Sequence, residues 1–148
     1  MEPWVYGGER VWGEKWTLHR QPPQRGDIVI FDHSPIEQAL FMKRIIALGG
    51  ETVEIRDSII YINDRALPEP YKIKRERENY GPHTVAPGTY FVLGDNRDYS
   101  DDSRYWGDVD TRRVIARAML RYWPPRPGLQ SAHAVYPTLT ATRRASLP

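Results

Sequence analysis

Thr52-Val53-Glu54-Ile55-Arg56-Asp57-Ser58-Ile59-Ile60-Tyr61-Ile62-Asn63-Asp64 reads as a β-hairpin. Two short apolar runs, Thr52–Arg56 and Ile59–Ile62, flank a turn at Asp57-Ser58, and Asn63-Asp64 closes the second run. The same alternation of strand and turn continues outward. Upstream, Ala39–Ala47 is a long apolar stretch that stops at Gly49-Gly50, and Arg25-Gly26-Asp27 is a tight turn leading into Ile28–Asp32. Downstream, Tyr90–Leu93 and Val114–Tyr122 are further strands, the last with Ile115, Ala116, Met119 and Leu120 as its apolar members. Residues 25–123 therefore predict an all-β domain. Residues 1–24 are rich in Trp, Gly and Pro, with one short strand expected around Arg10–Trp16. Residues 65–88 are charged and Pro-rich, too polar for a core, and read as an excursion or long loop. From Pro124-Pro125-Arg126-Pro127-Gly128 onward, residues 124–148 read as a loosely ordered tail.

Composition narrows the functions open to such a domain. The 148 residues suffice for one sizeable core. The net charge is +2, and the pI near 8.9 reflects a small Arg excess spread along the chain. No basic arm or stacking surface points to nucleic acid. There is no cysteine, which excludes a disulfide, a thiolate zinc site and a thiol nucleophile. Four scattered histidines do not make a metal site, and nothing in the sequence calls for a cofactor. No apolar run reaches the roughly 18–20 residues that cross a bilayer.

Three places carry side chains with chemistry. Lys43 lies in Phe41-Met42-Lys43-Arg44-Ile45-Ile46, where strand alternation puts it on one face with Phe41 and Ile45. Two readings are open. In one, Lys43 snorkels at a strand edge and covers apolar surface with its stem. In the other, desolvation lowers its pKa and makes it a general base. The second place is the polar loop Gly94-Asp95-Asn96-Arg97-Asp98-Tyr99-Ser100-Asp101-Asp102-Ser103-Arg104-Tyr105-Trp106-Gly107. There Asp102 and Arg104 have the chemistry of a bidentate ion pair, and Ser100 and Ser103 offer hydroxyls that can orient an amine. The loop lacks the spacing, central Gly and closing Glu of an EF-hand, so calcium is a poor fit. The third place, Arg25-Gly26-Asp27, reads alone as a turn.

In combination these segments resemble bacterial signal peptidase I over roughly residues 1–123. Met1-Glu2-Pro3 matches the end of a Ser-Met-x-Pro motif, and Gly8-Glu9-Arg10-Val11 follows it. Arg25 to Phe31 matches an Arg-Gly-Asp block, Phe41 to Gly50 a Lys-Arg block, and Gly94 to Gly107 the family's long Gly-Asp-Asn-Arg block position by position. That last block sets the chain apart from other Ser–Lys peptidases of related fold, such as the self-cleaving repressors.

The resemblance implies a mostly β fold of coiled antiparallel sheets with a small barrel-like catalytic core spanning residues 1–123. It implies endoproteolytic removal of signal peptides by a Ser–Lys dyad without metal or cofactor. Lys43 would be the general base and Ser100 its orienting hydroxyl. Asp102, Ser103 and Arg104 would support the site, and Asp27 and Arg44 would brace it. Met1, Val5, Phe41 and Met42 would line the small pockets for the substrate's −1 and −3 residues. The matching nucleophilic serine would immediately precede Met1, so the chain as written is expected to be inactive. The alternative is a non-catalytic remnant that binds signal peptides by strand addition near Lys43. The implied partners are signal peptides of preproteins and, for a full-length protein, the membrane surface. The implied location is the outer face of the cytoplasmic membrane.

Overall fold

The structure is a computed structural model that describes residues 10–16, 18, 20–32, 39–70, 79–123 and 133–134. The Thr52–Arg56 and Ile59–Ile62 runs form the expected hairpin, β4 and β5, with Asp57 and Ser58 at φ of 50° and 68° in its turn. Two left-handed residues in succession suit the twist of a two-residue hairpin. Arg65–Ala66, β6, pairs with β5, and Tyr80–Thr84, β7, pairs with β4. The result is a four-stranded sheet of order β6-β5-β4-β7.

The larger sheet contains Arg10–Glu14 (β1), Ile28–Asp32 (β2), Leu40–Leu48 (β3), Thr89–Leu93 (β8), Val109–Asp110 (β9) and Val114–Trp123 (β10). Their order is β1-β10-β2-β3-β8-β9, and every pairing is antiparallel. His133–Ala134, β11, adds to β10 beyond the reach of β2. This order leaves the large sheet open, so among the described residues there is no closed barrel, contrary to the barrel-like core expected from sequence.

A register shift in β3 distributes its apolar residues between two cores. The β3–β8 pairing slips between Ile45 and Ala47. A bulge of this kind breaks the two-residue alternation. Ile46 and Ala47 therefore both face the small sheet, where they pack with Val53, Ile55, Ile60, Ile62, Val85, Phe91 and Leu93. Ile45 joins Val29, Phe31, Tyr90, Val92 and Val109 on the opposite face of the large sheet.

The segment 65–88 departs from its sequence reading. Rather than a long loop, its described residues contain β6 and β7, bury Val85 completely, and pack Leu67 and Tyr80 against the core. Its charged composition concealed this because both strands lie at sheet edges, where alternate residues face solvent. The Asp108 carboxylate fixes the segment to the larger sheet. It contacts the His83 Nε2 at 2.9 Å and accepts from the Ala86 N–H at 2.9 Å and the Thr89 hydroxyl at 3.3 Å.

The inter-sheet core predicts a contrast within one hairpin. Ile55 is fully buried, whereas Ile59 is 44% exposed. Ile55→Ala should cost about 2–5 kcal/mol in urea denaturation, the range for deleting a buried aliphatic side chain. Ile59→Ala should cost about 0.5 kcal/mol. Equal losses at the two positions would contradict the assignment of the faces.

Candidate active site

Lys43 sits where β3 outruns β8. The β3–β8 pairing ends at Arg44 opposite Leu93, while β3 continues to Leu40 alongside β2. Val29 is the β2 residue directly opposite Lys43, and directly opposed residues share a face. Val29, Phe41 and Ile45 all belong to or pack on the same apolar cluster. The Lys43 amine thus emerges at the margin of an apolar surface. Burial is the largest influence and lowers its pKa from the ordinary lysine value, and the Arg104 guanidinium pushes the same way. Asp102 and Asp101 pull it upward by less.

Gly94 directly follows β8, and the loop it opens folds back on Lys43. It makes a single 3₁₀ turn at Arg97–Tyr99 and a four-residue helix, α1, at Ser103–Trp106. Lys43 Nζ and Ser100 Oγ meet at 2.8 Å. This approach requires glycine at 94. A Cβ there would lie 2.1 Å from Ser100 Oγ, 2.6 Å from Ser100 Cβ and 3.6 Å from Lys43 Nζ. The Gly94 peptide groups are held at both ends: its N–H donates to Asp102 Oδ2 at 3.0 Å, and its carbonyl accepts from Arg97 Nε at 2.8 Å.

Of the residues expected to support the site, Asp102, Ser103 and Arg104 lie in this loop and Arg44 pairs with it, whereas Asp27 does not. Asp102 is fully buried and caps α1. Arg104 holds it with two bonds, Nε to Oδ1 at 2.8 Å and Nη2 to Oδ2 at 3.0 Å. Arg104 Nη2 also donates to the Arg97 carbonyl at 2.7 Å, which closes the loop on itself. The Ser103 hydroxyl accepts from the Val92 N–H at 3.0 Å and so ties α1 to β8. Arg44, on the opposite face of β3 from Lys43, forms a buried bidentate pair with Asp95 at 2.8 and 2.7 Å and donates to the Gly26 carbonyl. Asp27 is separate from that pair; it accepts from the Gln24 N–H and from Arg117 Nη1 at 3.2 Å. The Arg25-Gly26-Asp27 turn is accordingly spent on internal contacts.

The residues expected to line the substrate pockets divide. Phe41 shares the Lys43 face and stacks on Phe31 with centroids 6.2 Å apart. Met42 points to the other face and packs with Ile28 and Ala118. Met1 and Val5 lie outside the described residues. No group of three or more metal-ligating side chains occurs among the described residues, and no helix there is long and apolar enough to cross a membrane.

Sequence reasoning missed four residues. Gly94 and Asp95 were quoted only as part of the loop, although a glycine closing an apolar strand signals close backbone approach. Arg97 and Glu69 were not singled out. Arg97 is 1% exposed, and its guanidinium is paired with the Glu69 carboxylate from the segment after β6. A charged residue inside a strand-to-helix loop and a carboxylate in Leu67-Pro68-Glu69-Pro70 gave no periodic signal linking them.

A lysine amine whose pKa burial lowers meets a serine hydroxyl on a two-sheet antiparallel scaffold. Comparison with known proteins makes the family explicit. The family model for signal peptidase, peptidase S26, matches residues 1–123, and the chain belongs to that family. It is 39% identical over 135 residues to a probable signal peptidase I-2 of Synechocystis sp., covering 87% of this chain and 62% of that protein. It is 36% identical over 135 residues to thylakoidal processing peptidase 1, chloroplastic, of Arabidopsis thaliana, covering 84% of this chain and 40% of that protein. A crystal structure of a signal peptidase I from Enterococcus faecalis superposes with a TM-score of 0.58 at 40% identity, covering 66% of this chain and 97% of that one. The chain spans about three-fifths of the Synechocystis relative's length.

The Asp102 cluster gives the next prediction. Asp102→Ala removes the acceptor of both Arg104 and the Gly94 N–H. Deleting one partner of a buried pair costs about 3–5 kcal/mol. Chemical denaturation should register that loss, and an unchanged midpoint would contradict the role assigned to the carboxylate.

Proposed function

We propose that this site removes signal peptides from exported preproteins, with Lys43 as the general base of a serine nucleophile. The observation that carries the reading is the 2.8 Å contact between Lys43 Nζ and Ser100 Oγ at an amine whose pKa burial lowers. The family pattern puts the nucleophile immediately before Met1. In the proposed step, neutral Lys43 accepts the serine proton as the serine oxygen bonds to the scissile carbonyl carbon. The carbonyl π electrons move to oxygen, where the serine's own backbone N–H stabilises them. As the C–N bond breaks, protonated Lys43 returns its proton to the leaving amine. Water then cleaves the acyl ester with Lys43 again as base. Ser100 fixes the direction of the amine throughout.

Substrate engages as an added strand along β3 where it continues past β8, a mode that meets backbone groups without regard to side-chain sequence. Met1, Val5, Phe41 and Met42 supply the walls for small residues at −1 and −3. Because Phe41 and Met42 lie on opposite faces of β3, they serve different walls. The proposed setting is the outer face of the cytoplasmic membrane, with the membrane surface as a second partner of the full-length protein. The same strand edge supports a second reading, in which this polypeptide binds signal peptides without cleaving them.

The test is a chain extended by several residues ending in serine directly before Met1, assayed in detergent with a peptide bearing Ala at −1 and −3. The extended chain should cleave after the −1 residue, and residues 1–148 alone should not. Lys43→Ala should lower kcat by about 10⁶-fold, the scale for removing the base of a nucleophile–base pair. Lys43→Arg should fail too, since Arg stays charged. Because the active base is the neutral amine, kcat/KM should rise as pH increases through the lowered Lys43 pKa and then level off. Cleavage by the Lys43→Ala form, or activity that falls over that rise in pH, would overturn the assignment.

A further inference from the structure

We propose that Glu69 is a positioning residue for the Lys43 site, acting from the smaller sheet through Arg97 on Gly94; the proposal rests on the reading of Lys43 as the base. Three observations lead to it. First, the Arg97 guanidinium is buried in the loop, with side-chain exposure of 0% against 7% for Glu69. A guanidinium at that depth needs its charge and its donors met. Glu69 takes both terminal nitrogens: Nη2 donates to Oε1, and Nη1 to Oε2 at 3.4 Å.

Second, the remaining guanidinium nitrogen, Nε, donates to the Gly94 carbonyl at 2.8 Å. The plane of the guanidinium couples these contacts. Where Glu69 holds the two terminal nitrogens, the direction of Nε is fixed, and with it the Gly94 carbonyl. Third, Gly94 is the residue whose backbone leaves just enough room for Ser100. The distance of 2.1 Å from its absent Cβ to Ser100 Oγ means that a small rotation of this peptide alters the gap in which Ser100 meets Lys43. Asp102 secures the N–H side of Gly94 from within the loop, and Glu69, acting through Arg97, secures the carbonyl side from the segment after β6.

The segment that carries Glu69 is itself anchored. Leu67 donates its N–H to the Ile60 carbonyl at 2.8 Å and packs on the inter-sheet core. Glu69 is thus held two residues from a fixed point on the smaller sheet. The segment leaving β6 presents a carboxylate to Arg97 of the Gly94–Gly107 loop.

The sign of the effect on Lys43 separates positioning from simple electrostatics. Deleting a negative charge in the neighbourhood of a lysine lowers its pKa. Loosening Gly94 and Ser100 instead admits water to the amine, relieves its desolvation and raises the pKa toward the ordinary lysine value.

The experiment uses residues 1–148 with ¹³C-labelled lysine, the Lys43 signal being assigned by its loss in Lys43→Met. In Glu69→Gln the Lys43 midpoint should move upward, and the Gly94 amide should exchange with deuterium about tenfold or more faster, as for a locally loosened segment. If Glu69→Gln does not fold, Glu69→Asp, whose carboxylate stops one methylene short of Arg97, is read by the same two criteria. A midpoint that stays put or moves downward, with unchanged Gly94 exchange in a folded variant, overturns the proposal. An unmodified chain whose Lys43 titrates at the ordinary lysine value overturns the base assignment instead, so the two failures are distinguishable.

Discussion

The hydrogen bond between Lys43 and Ser100 sets the terms for everything around it. An ammonium is strongly hydrated, and its stem here rises from a face shared with Val29, Phe41 and Ile45. Burial there disfavours the charged form and lowers the pKa, and it leaves the amine few partners to fix its direction. The serine hydroxyl supplies one, and the rest of the loop exists to bring that hydroxyl to 2.8 Å. The neighbouring charges do not cancel this tendency. Arg104–Asp102, Arg44–Asp95 and Arg97–Glu69 each pair a cation with a carboxylate at the site's edge. Paired in this way they leave burial as the largest influence on Lys43, which agrees with the direction of its pKa.

Those buried pairs also explain why two sheets serve one small site. Ion pairs away from water contribute little net stability and are better understood as fixing geometry. Each of the three joins the loop to something different. Arg44 joins it to β3, Arg104 folds it on itself, and Glu69 ties it to the smaller sheet. The apolar core between the sheets then keeps these attachment points at fixed spacing. The bulge in β3 contributes as well, since it lets one strand serve both cores while Lys43 stays on the face away from the smaller sheet.

Much of this was legible in the sequence because strand periodicity is local. The hairpin at Thr52–Ile62 and the strands at Ile28–Asp32 and Tyr90–Leu93 are encoded in a few adjacent residues. The face shared by Phe41, Lys43 and Ile45 follows from alternation alone. The Asp102–Arg104 pair was legible for the same reason, its partners being two positions apart. Contacts between distant segments were not. Arg44 finds Asp95 across 51 positions and Arg97 finds Glu69 across 28. The strands in residues 65–88 were hidden because edge strands carry charge. The open sheet replaced the expected barrel-like core because closure depends on the pairing of the terminal strands, which no single strand encodes.

At the centre of the site is a lysine whose pKa burial lowers. The most direct measurement is the pH titration of the Lys43 ε-carbon in the unmodified chain. Lys43 should titrate below 10.5, the ordinary lysine value, and Ser100→Ala should perturb its signal. Titration at the ordinary lysine value, with Lys43 indifferent to the loss of the Ser100 hydroxyl, would contradict a buried amine held by that serine.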